Sequence, residues 1–194
     1  MLPEFDERGH LPPGRFTLSM EEAEEFLVAA PRFAASMTRP ALWSKFQDFL
    51  YLFVRLQDTY LELLDGIELV HGVWLGGSFA SAKLDPRNID ATVLVDERAE
   101  QALKGHPGSK WLTEAFKSRK AMLDRFDVSP MRVGYRPVAS VFKLRDMTQE
   151  DRTYFLDRGR WDDWWQRCRL PGEVGSPPSE ASAAPMRGYV EVRP

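Results

Sequence analysis

Residues 76 to 90, GGSFASAKLDPRNID, carry the side chains whose types and spacing could do chemistry. A Gly-Gly-Ser turn leaves backbone N–H groups free to meet an anion, and the Ser78 hydroxyl adds a further donor. Asp90, twelve residues after Ser78, could hold a divalent cation that bridges phosphate groups. The stretch therefore indicates a site for the phosphates of a nucleotide, although a Gly-Ser turn alone is a weak signal and is often only a turn.

Two apolar runs flank this stretch and are predicted to be strands. Residues 69 to 75, LVHGVWL, lead into the turn, and residues 89 to 95, IDATVLV, carry Asp90 near their start. The segment FASAKL between them is predicted to form a short helix with Gly77 and Ser78 at its N-terminus. The β-branched and apolar residues of RPVASVFKL, residues 136 to 144, predict a third strand.

Four longer segments have the spacing of apolar residues that is typical of amphipathic helices. They are residues 17 to 28, 38 to 64, 108 to 126 and 148 to 169. Ser19 and Glu22 have capping-box spacing in the first, and Thr38 is the expected cap of the second. The aromatic stripe of the second helix predicts core packing, and Gly159 marks a possible break in the fourth.

Strands that alternate with helices favour an α/β or α+β architecture, with a mixed sheet packed against helices. Residues 1 to 170 are predicted to form one domain with an extended N-terminal arm. Residues 171 to 185 are rich in Pro, Ser and Ala and predict a flexible linker. Residues 186 to 194 are predicted to return to the domain as a strand at a sheet edge.

The composition excludes several classes of protein. The 194 residues carry a net charge of -3 and are 43% hydrophobic, so no overall positive charge attracts nucleic acid, and a sizeable core is expected. Cys168 is the single cysteine, which excludes an intrachain disulfide, favours a cytoplasmic location and, with scattered histidines, argues against a zinc site. No apolar run is as long as a membrane span, so no membrane partner is expected.

The spacing of Gly77, Ser78, Asn88 and Asp90 resembles the signature of the polymerase-beta-like nucleotidyltransferase superfamily, Gly-Ser followed by Asp-x-Asp on the next strand. The arm LPEFDERGHLPPG, the stretch VWLGGSFASAKLDPRNID and the ending RGYVEV together resemble a bacterial nucleotidyltransferase-like family associated with toxin–antitoxin systems. The likeness spans most of the chain and is specific in the arm and in residues 74 to 96.

The resemblance implies roles for these residues. Gly77 and Ser78 would hold a nucleoside triphosphate, and Asp90 would be the second of the two carboxylates that bind magnesium. Asn88 stands where the first carboxylate is expected; its amide oxygen could ligate the metal but brings no charge. Catalysis and metal binding are therefore assigned to Asp90 and Asn88, with magnesium as the cofactor.

The chain departs from the superfamily at the third acid, which the resemblance places on a later strand. Within RPVASVFKL the matching positions are Ala139 and Ser140, neither of which can act as a base. Each such group commonly contributes about 10²–10⁴-fold to the rate, so the site is predicted to be degenerate. Among neighbouring acids, only Asp85 in the loop is a credible substitute, and its alternative role is to initiate a turn.

Three functions follow from this interpretation. The first is a nucleotide-binding protein of toxin–antitoxin or regulatory type with a degenerate catalytic site. The second is an active enzyme that moves a nucleoside monophosphate from a triphosphate to a hydroxyl group of a protein or RNA. The third is a non-catalytic protein-interaction module. The partners expected are a nucleoside triphosphate, a partner protein and an RNA acceptor.

Three further features have a structural and a functional interpretation. Trp161, Trp164 and Trp165 lie among arginines and could stack on bases, but their helical spacing favours core packing. The cations of residues 117 to 125 predict a solvated helix face that could lie beside a nucleotide. Cys168 is expected to lie at the end of a helix without a nearby base and is interpreted as an inert small apolar residue.

Overall fold

A mixed five-stranded sheet lies at the centre of the chain, which a computed structural model describes over residues 3–168 and 179–194. Its strands are β1 (Gly14–Ser19), β2 (Val70–Gly76), β3 (Ile89–Asp96), β4 (Val128–Tyr135) and β5 (Gly188–Arg193). Their order in space is β1-β5-β2-β3-β4. β1 is parallel to β5 and β3 to β4, whereas β2 is antiparallel to both of its neighbours. The predicted α/β class is confirmed.

The helices of the described residues are mostly short. They are α1 (Met20–Glu24), α2 (Arg39–Thr59), α3 (Leu61–Leu64), α4 (Glu97–Leu103), α5 (Trp111–Lys117), α6 (Arg119–Phe126) and α7 (Gln149–Gln166), and a π-helical turn, Glu25–Ala29, extends α1. Ser19 caps α1 in the predicted capping box with Glu22. None of these helices is long and apolar enough to cross a membrane.

Different helices cover the two faces of the sheet. On one face α2 buries an apolar stripe, formed by Leu42, Trp43, Phe46, Phe49, Leu50, Phe53 and Leu56. The core packing predicted for this stripe is confirmed, except at Leu63, which lies beyond the end of α2 and is 46% exposed. On the other face Tyr154 and Trp165 of α7 pack against the sheet residues Trp74, Leu94, Val133 and Tyr189. The sheet is therefore buried on both sides where α7 crosses it.

The third predicted strand is wrong. Residues 136–143 contain no strand, and β4, the neighbour of β3, ends at Tyr135. Val141 and Phe142 are 48% and 91% exposed, so these apolar side chains are not buried as those of a strand in the sheet would be. β4 was not recognised because it contains Pro130 and Gly134. Proline is tolerated there because β4 is an edge strand, where one row of N–H groups needs no partner.

Other predicted boundaries also differ. FASAKL forms a hydrogen-bonded turn and not a helix, and the Ser81 hydroxyl donates to the Ser78 carbonyl at 2.8 Å. Ser118 divides the helix predicted over residues 108 to 126 and caps α6 with its side chain, whereas α7 continues through Gly159. The first two differences arise because side-chain hydrogen bonds of serine compete with the helical pattern.

The C-terminal strand is confirmed but lies inside the sheet. β5 pairs with β1 on one side and with β2 on the other, so it does not occupy an edge. β1 itself lies in the segment predicted as arm and helix start. Of the linker predicted over residues 171 to 185, residues 171–178 lie outside the described residues, and Glu180–Ser182 forms a 3-10 turn.

Arg39, the first residue of α2, is buried with 0% exposure and holds the loop between β2 and β3. Its Nη1 atom donates to the carbonyl oxygens of Leu27 and Phe79 at 2.6 and 3.0 Å. Its Nη2 atom donates to those of Ser81 and Lys83, both at 2.7 Å. Burial lowers the pKa of Arg39 to about 10, so the guanidinium stays charged at neutral pH. The loop that carries the candidate site is thus tied to α2 by one side chain.

Replacing Arg39 should destabilise the whole fold. Arg39→Gln leaves several buried carbonyl groups without a donor, so the free energy of unfolding in urea is expected to fall by about 3 kcal/mol or more. Arg55→Gln, at an exposed position of the same helix, is the control and should change it by less than about 0.5 kcal/mol. Equal effects of the two substitutions would show that Arg39 is not a structural anchor.

Candidate nucleotide site

The structure brings the Gly77 turn and Asp90 into direct contact. Gly76 and Asp90 are paired across β2 and β3, and Gly77 follows with a φ of +66°. A Cβ atom added at Gly77 would lie 2.5 Å from Asp90 Oδ2. The turn that could receive a phosphate and the carboxylate that could receive a cation are therefore adjacent, and only glycine fits between them.

Two polar side chains lie beside the Asp90 carboxylate. The Asn88 amide nitrogen donates to Asp90 Oδ1 at 3.0 Å, and the Ser129 hydroxyl is close enough to lower the pKa of Asp90. Ser129 lies opposite Asp90 in the parallel pairing of β3 and β4. Ser129, and not Ala139 or Ser140, is therefore the neighbouring-strand residue at this site. The position beside Asp90 on the next strand holds a hydroxyl group in place of a third acid.

Two arginines place positive charge beside Asp90. Arg119, at the start of α6, donates from Nε to Ser129 Oγ at 2.7 Å, and Arg187, just before β5, donates from Nε to the Trp165 carbonyl at 3.1 Å. Burial, the largest influence, raises the pKa of Asp90, while the Asn88 hydrogen bond, the Ser129 hydroxyl and both arginines oppose that rise. Burial likewise lowers the pKa of Arg187, and the charge of Asp90 partly offsets this. The site therefore combines one carboxylate with two cations.

The donor set does not fit a resident magnesium ion. Magnesium is usually held by one or two carboxylates together with phosphate oxygens, and Asn88 presents its NH₂ group to Asp90. Within residues 3–168 and 179–194 no group of three His, Cys, Asp or Glu side chains could hold a metal. Two guanidinium groups would also repel a divalent cation.

The other acids of this region have structural roles. Asp85 Oδ1 accepts from the Met37 backbone N–H at 2.8 Å and from Ser36 Oγ at 3.0 Å, which fastens the loop to the start of α2. Asp96, at the far end of β3, caps α4. The alternative role of Asp85 in organising a turn is thus the one that its contacts support.

Trp165 packs on the sheet beside this site. A Cβ atom at Gly76 would lie 2.1 Å from the Trp165 ring, and Trp165 Nε1 donates to Thr92 Oγ1 at 3.0 Å. Trp161 stacks on Trp165 at a centroid distance of 5.8 Å, while Trp164 is 40% exposed. The core packing predicted for these tryptophans is confirmed for Trp165. Glycine is required at the two positions before Ser78 for different reasons. The absence of a side chain at Gly76 makes room for the indole of Trp165, and its absence at Gly77 makes room for the carboxylate of Asp90.

The sequence interpretation missed a base near Cys168. Cys168 Sγ lies 3.5 Å from His10 Nδ1, although the two residues are 158 positions apart. Burial raises the pKa of the Cys168 thiol and lowers the pKa of His10. Both groups are therefore neutral at neutral pH, and the buried thiol stays unreactive. The prediction that no base lies nearby is wrong.

The chain thus has an α/β fold with a mixed sheet, in which one carboxylate lies against a glycine turn. Comparison with known families then assigns it to a family. The chain belongs to the family of unknown function DUF6932, whose model matches residues 3–193. No curated protein matches the chain. The match covers the arm, all five strands and the residues of the candidate site.

The contact between Gly77 and Asp90 can be tested by a double-mutant cycle. Gly77→Ala forces alanine to a positive φ and places its methyl group on the carboxylate, which should cost about 2–3 kcal/mol of the free energy of unfolding. In an Asp90→Ala background only the backbone strain of about 1 kcal/mol should remain. Urea denaturation of the four chains gives the coupling, and additive effects would mean that the Asp90 side chain moves aside freely.

The burial of Asp90 makes a prediction about pH. A carboxyl group whose pKa is higher in the folded than in the unfolded chain costs stability above its folded pKa, and the cost disappears as the pH falls through that value. Asp90→Asn should therefore raise the free energy of unfolding at pH 7, and the gain should shrink towards about pH 4. Urea denaturation at the two pH values measures this.

Asp85→Asn is the matched control, and it should change the free energy of unfolding in the opposite direction. The Met37 backbone N–H is the largest influence on Asp85 and lowers its pKa. A lowered pKa contributes stability above the unfolded value that is lost at acid pH, so Asp85→Asn should destabilise the chain at pH 7. If both substitutions change stability in the same direction, the charges do not act as described.

Proposed function

We propose that this protein is a nucleotide-binding protein of toxin–antitoxin or regulatory type, built on a nucleotidyltransferase-like fold with a degenerate catalytic site. The observation that carries the proposal is the contact of the Gly77 turn with Asp90, where Asn88 and Ser129 stand in place of the further acids that catalysis needs and two arginines lie nearby. The proposal rests on this geometry together with the resemblance of Gly77, Ser78 and Asp90 to the superfamily signature.

The arginines support binding of phosphate groups. No Nη atom of Arg119 or Arg187 is hydrogen-bonded to another described residue, since each donates from Nε only. Guanidinium groups pair well with phosphate oxygens because their fork of N–H donors matches two oxygens at once. Gly77 and Ser78 would add backbone and hydroxyl donors at the same place. A triphosphate would thus be held largely by arginines, with any magnesium arriving together with the nucleotide.

The same residues argue against nucleotidyl transfer. Two-metal phosphoryl transfer requires charged ligands for both ions and a base beside the attacking hydroxyl. Asp90 is a single carboxylate, and its neighbours Asn88, which donates to it, and Ser129, which is paired with it across β3 and β4, add no negative charge. An active transferase for a protein or RNA hydroxyl is the alternative, and a labelling assay separates the two.

Titration with ATP tests the binding proposal. In the presence of EDTA the full chain should bind ATP, and Arg119→Gln or Arg187→Gln should each weaken binding by about tenfold, because a charged hydrogen bond is lost. Ser78→Ala should weaken it less. Lys120→Gln, which alters an exposed neighbour of Arg119 that pairs with Asp124, is the control and should leave affinity unchanged.

Asp90→Asn decides between two modes of binding. If the arginines hold the phosphates, removing a nearby negative charge should keep or increase the affinity for ATP. If the nucleotide instead depends on a metal ion at Asp90, binding should require magnesium and be lost in this variant. Absence of ATP binding by the unmodified chain at millimolar concentration, with or without magnesium, contradicts the proposal and leaves the protein-interaction module.

The degenerate metal site can be tested by restoring acids. N88D combined with S129D adds two carboxylates beside Asp90 on β3 and β4, so the chain should gain magnesium binding measurable by calorimetry. N88D combined with Ser140→Asp is the control, since Ser140 lies in the loop after β4 and should add little. In the unmodified chain, transfer of a nucleotide label to protein or RNA that Asp90→Ala stops would show that the site is catalytically active.

A further inference from the structure

A cavity of about 510 Å³ opens on the α7 side of the sheet, and none of its lining residues belongs to the candidate site. Its walls include Leu94 of β3, Tyr135 at the end of β4, and the loop that follows β4. Leu94 lies four positions after Asp90 along β3, towards the opposite end of the strand. This volume lies within the range of a few hundred Å³ or more that small-molecule sites usually have.

The lining has an excess of positive charge. Four arginines and one carboxylate, Glu191, line the cavity: the arginines are Arg15, Arg136, Arg158 and Arg193. Arg15 pairs with Glu191 at 3.3 Å, and Arg136 pairs with Glu97 and Asp151, neither of which lines the cavity.

Arg158 and Arg193 make no ion pair with any residue that the structure describes. Arg158 is half-buried, and its Nη1 atom donates to the hydroxyl group of Tyr154 at 3.3 Å. Two guanidinium groups at one cavity without acidic partners favour a ligand that carries negative charge.

Aromatic rings form another part of the lining. His71 stacks on Tyr135 with ring centroids 3.7 Å apart and an angle of 9°, and Tyr154 meets Tyr135 edge-on at 5.6 Å. Burial lowers the pKa of His71, and the charge of Arg193 acts in the same direction, so the imidazole is neutral at neutral pH. Phe155 adds a further ring to the lining. Flat π-faces beside guanidinium groups suit a planar unsaturated ring.

We propose that this cavity is a second ligand site, which binds a phosphate monoester that carries a planar ring, of the chemical class of a nucleoside monophosphate. Arg158 and Arg193 hold the phosphate, whose two negative charges match their two unpaired positive charges. His71, Tyr135 and Phe155 contact the ring. The site is independent of the proposed function at Asp90, because the two share no residue and no metal is needed here.

Titration of the full chain with AMP in EDTA and low salt tests this proposal. AMP should bind, and Arg158→Gln and Arg193→Gln should each weaken binding by about tenfold or more, since each removes a charged hydrogen bond. Arg160→Gln is the matched control, because Arg160 lies on the same helix, is 61% exposed and pairs with Asp157. It should leave the affinity unchanged. Circular dichroism confirms that each variant is folded.

Two further ligands test separately whether the arginines bind the phosphate and whether the aromatic rings bind the planar ring. Inorganic phosphate and adenosine should each bind at least about tenfold more weakly than AMP, since each supplies half of the contacts. Phosphate that binds as tightly as AMP would overturn the role of the rings. Failure of AMP to bind at about 10 mM, or equal affinities of the Arg158, Arg193 and Arg160 variants, would overturn the site itself.

An Arg119 variant keeps the two sites distinguishable. Arg119→Gln weakens the candidate nucleotide site and does not touch this cavity, so AMP affinity in EDTA should be the same as in the unmodified chain. If Arg119→Gln weakens AMP binding while Arg158→Gln does not, the AMP binds at the Asp90 site and the second site is overturned. ATP binding that fails while AMP binding persists would instead contradict only the proposed function.

Discussion

The buried guanidinium of Arg39 is the interaction on which the arrangement of the site depends. It supplies donors to carbonyl groups of the chain before α2 and of the loop between β2 and β3. Its Cζ atom lies 3.7 Å from the Phe33 ring centroid, so the charge contacts an aromatic ring as well as carbonyl oxygens. Asp85 adds a second connection between the loop and the start of α2. A loop without regular secondary structure thereby acquires a single conformation.

That fixed loop explains why the Gly77 turn can rest against a half-buried carboxylate. Asp90 has no metal-binding group of acids beside it; its buried charge is partly compensated by the Asn88 hydrogen bond and by the charges of Arg119 and Arg187. At this place the chain has positive charge in its own side chains, Arg119 and Arg187. Such an arrangement suits recognition of an anion, because no ion has to be recruited before the ligand binds.

Much of the fold could be predicted from local sequence patterns, and much of the site could not. β2, β3, α2 and the capping box at Ser19 follow from runs of apolar residues and from residue types at fixed spacing. β4 was missed because Pro130 and Gly134 interrupt its pattern, while the exposed apolar residues of the next loop imitated a strand. Local patterns identify an element only when its burial follows the expected period.

The residues around Asp90 were only partly visible in the sequence. Asn88 and Asp90 lie in one motif, but Ser129, Arg119 and Arg187 reach the site from β4, α6 and the segment before β5. Their types are ordinary for a strand, a helix start and a loop, so no spacing marks them. The pairing of Asp90 with Ser129 becomes evident only once the parallel register of β3 and β4 is known.

The interior place of β5 has a consequence for how the chain assembles. β1 has β5 as its strand partner, and Gly14 pairs with Gly188, a separation of 174 residues. Parallel pairing over such a distance requires the closure of a very large loop, which is slow compared with the local pairing of β2 and β3. During synthesis β1 therefore remains without its strand partner until nearly all of this sequence has left the ribosome. The half of the sheet around β2, β3 and β4 can form first, and β5 completes it by joining that half to β1.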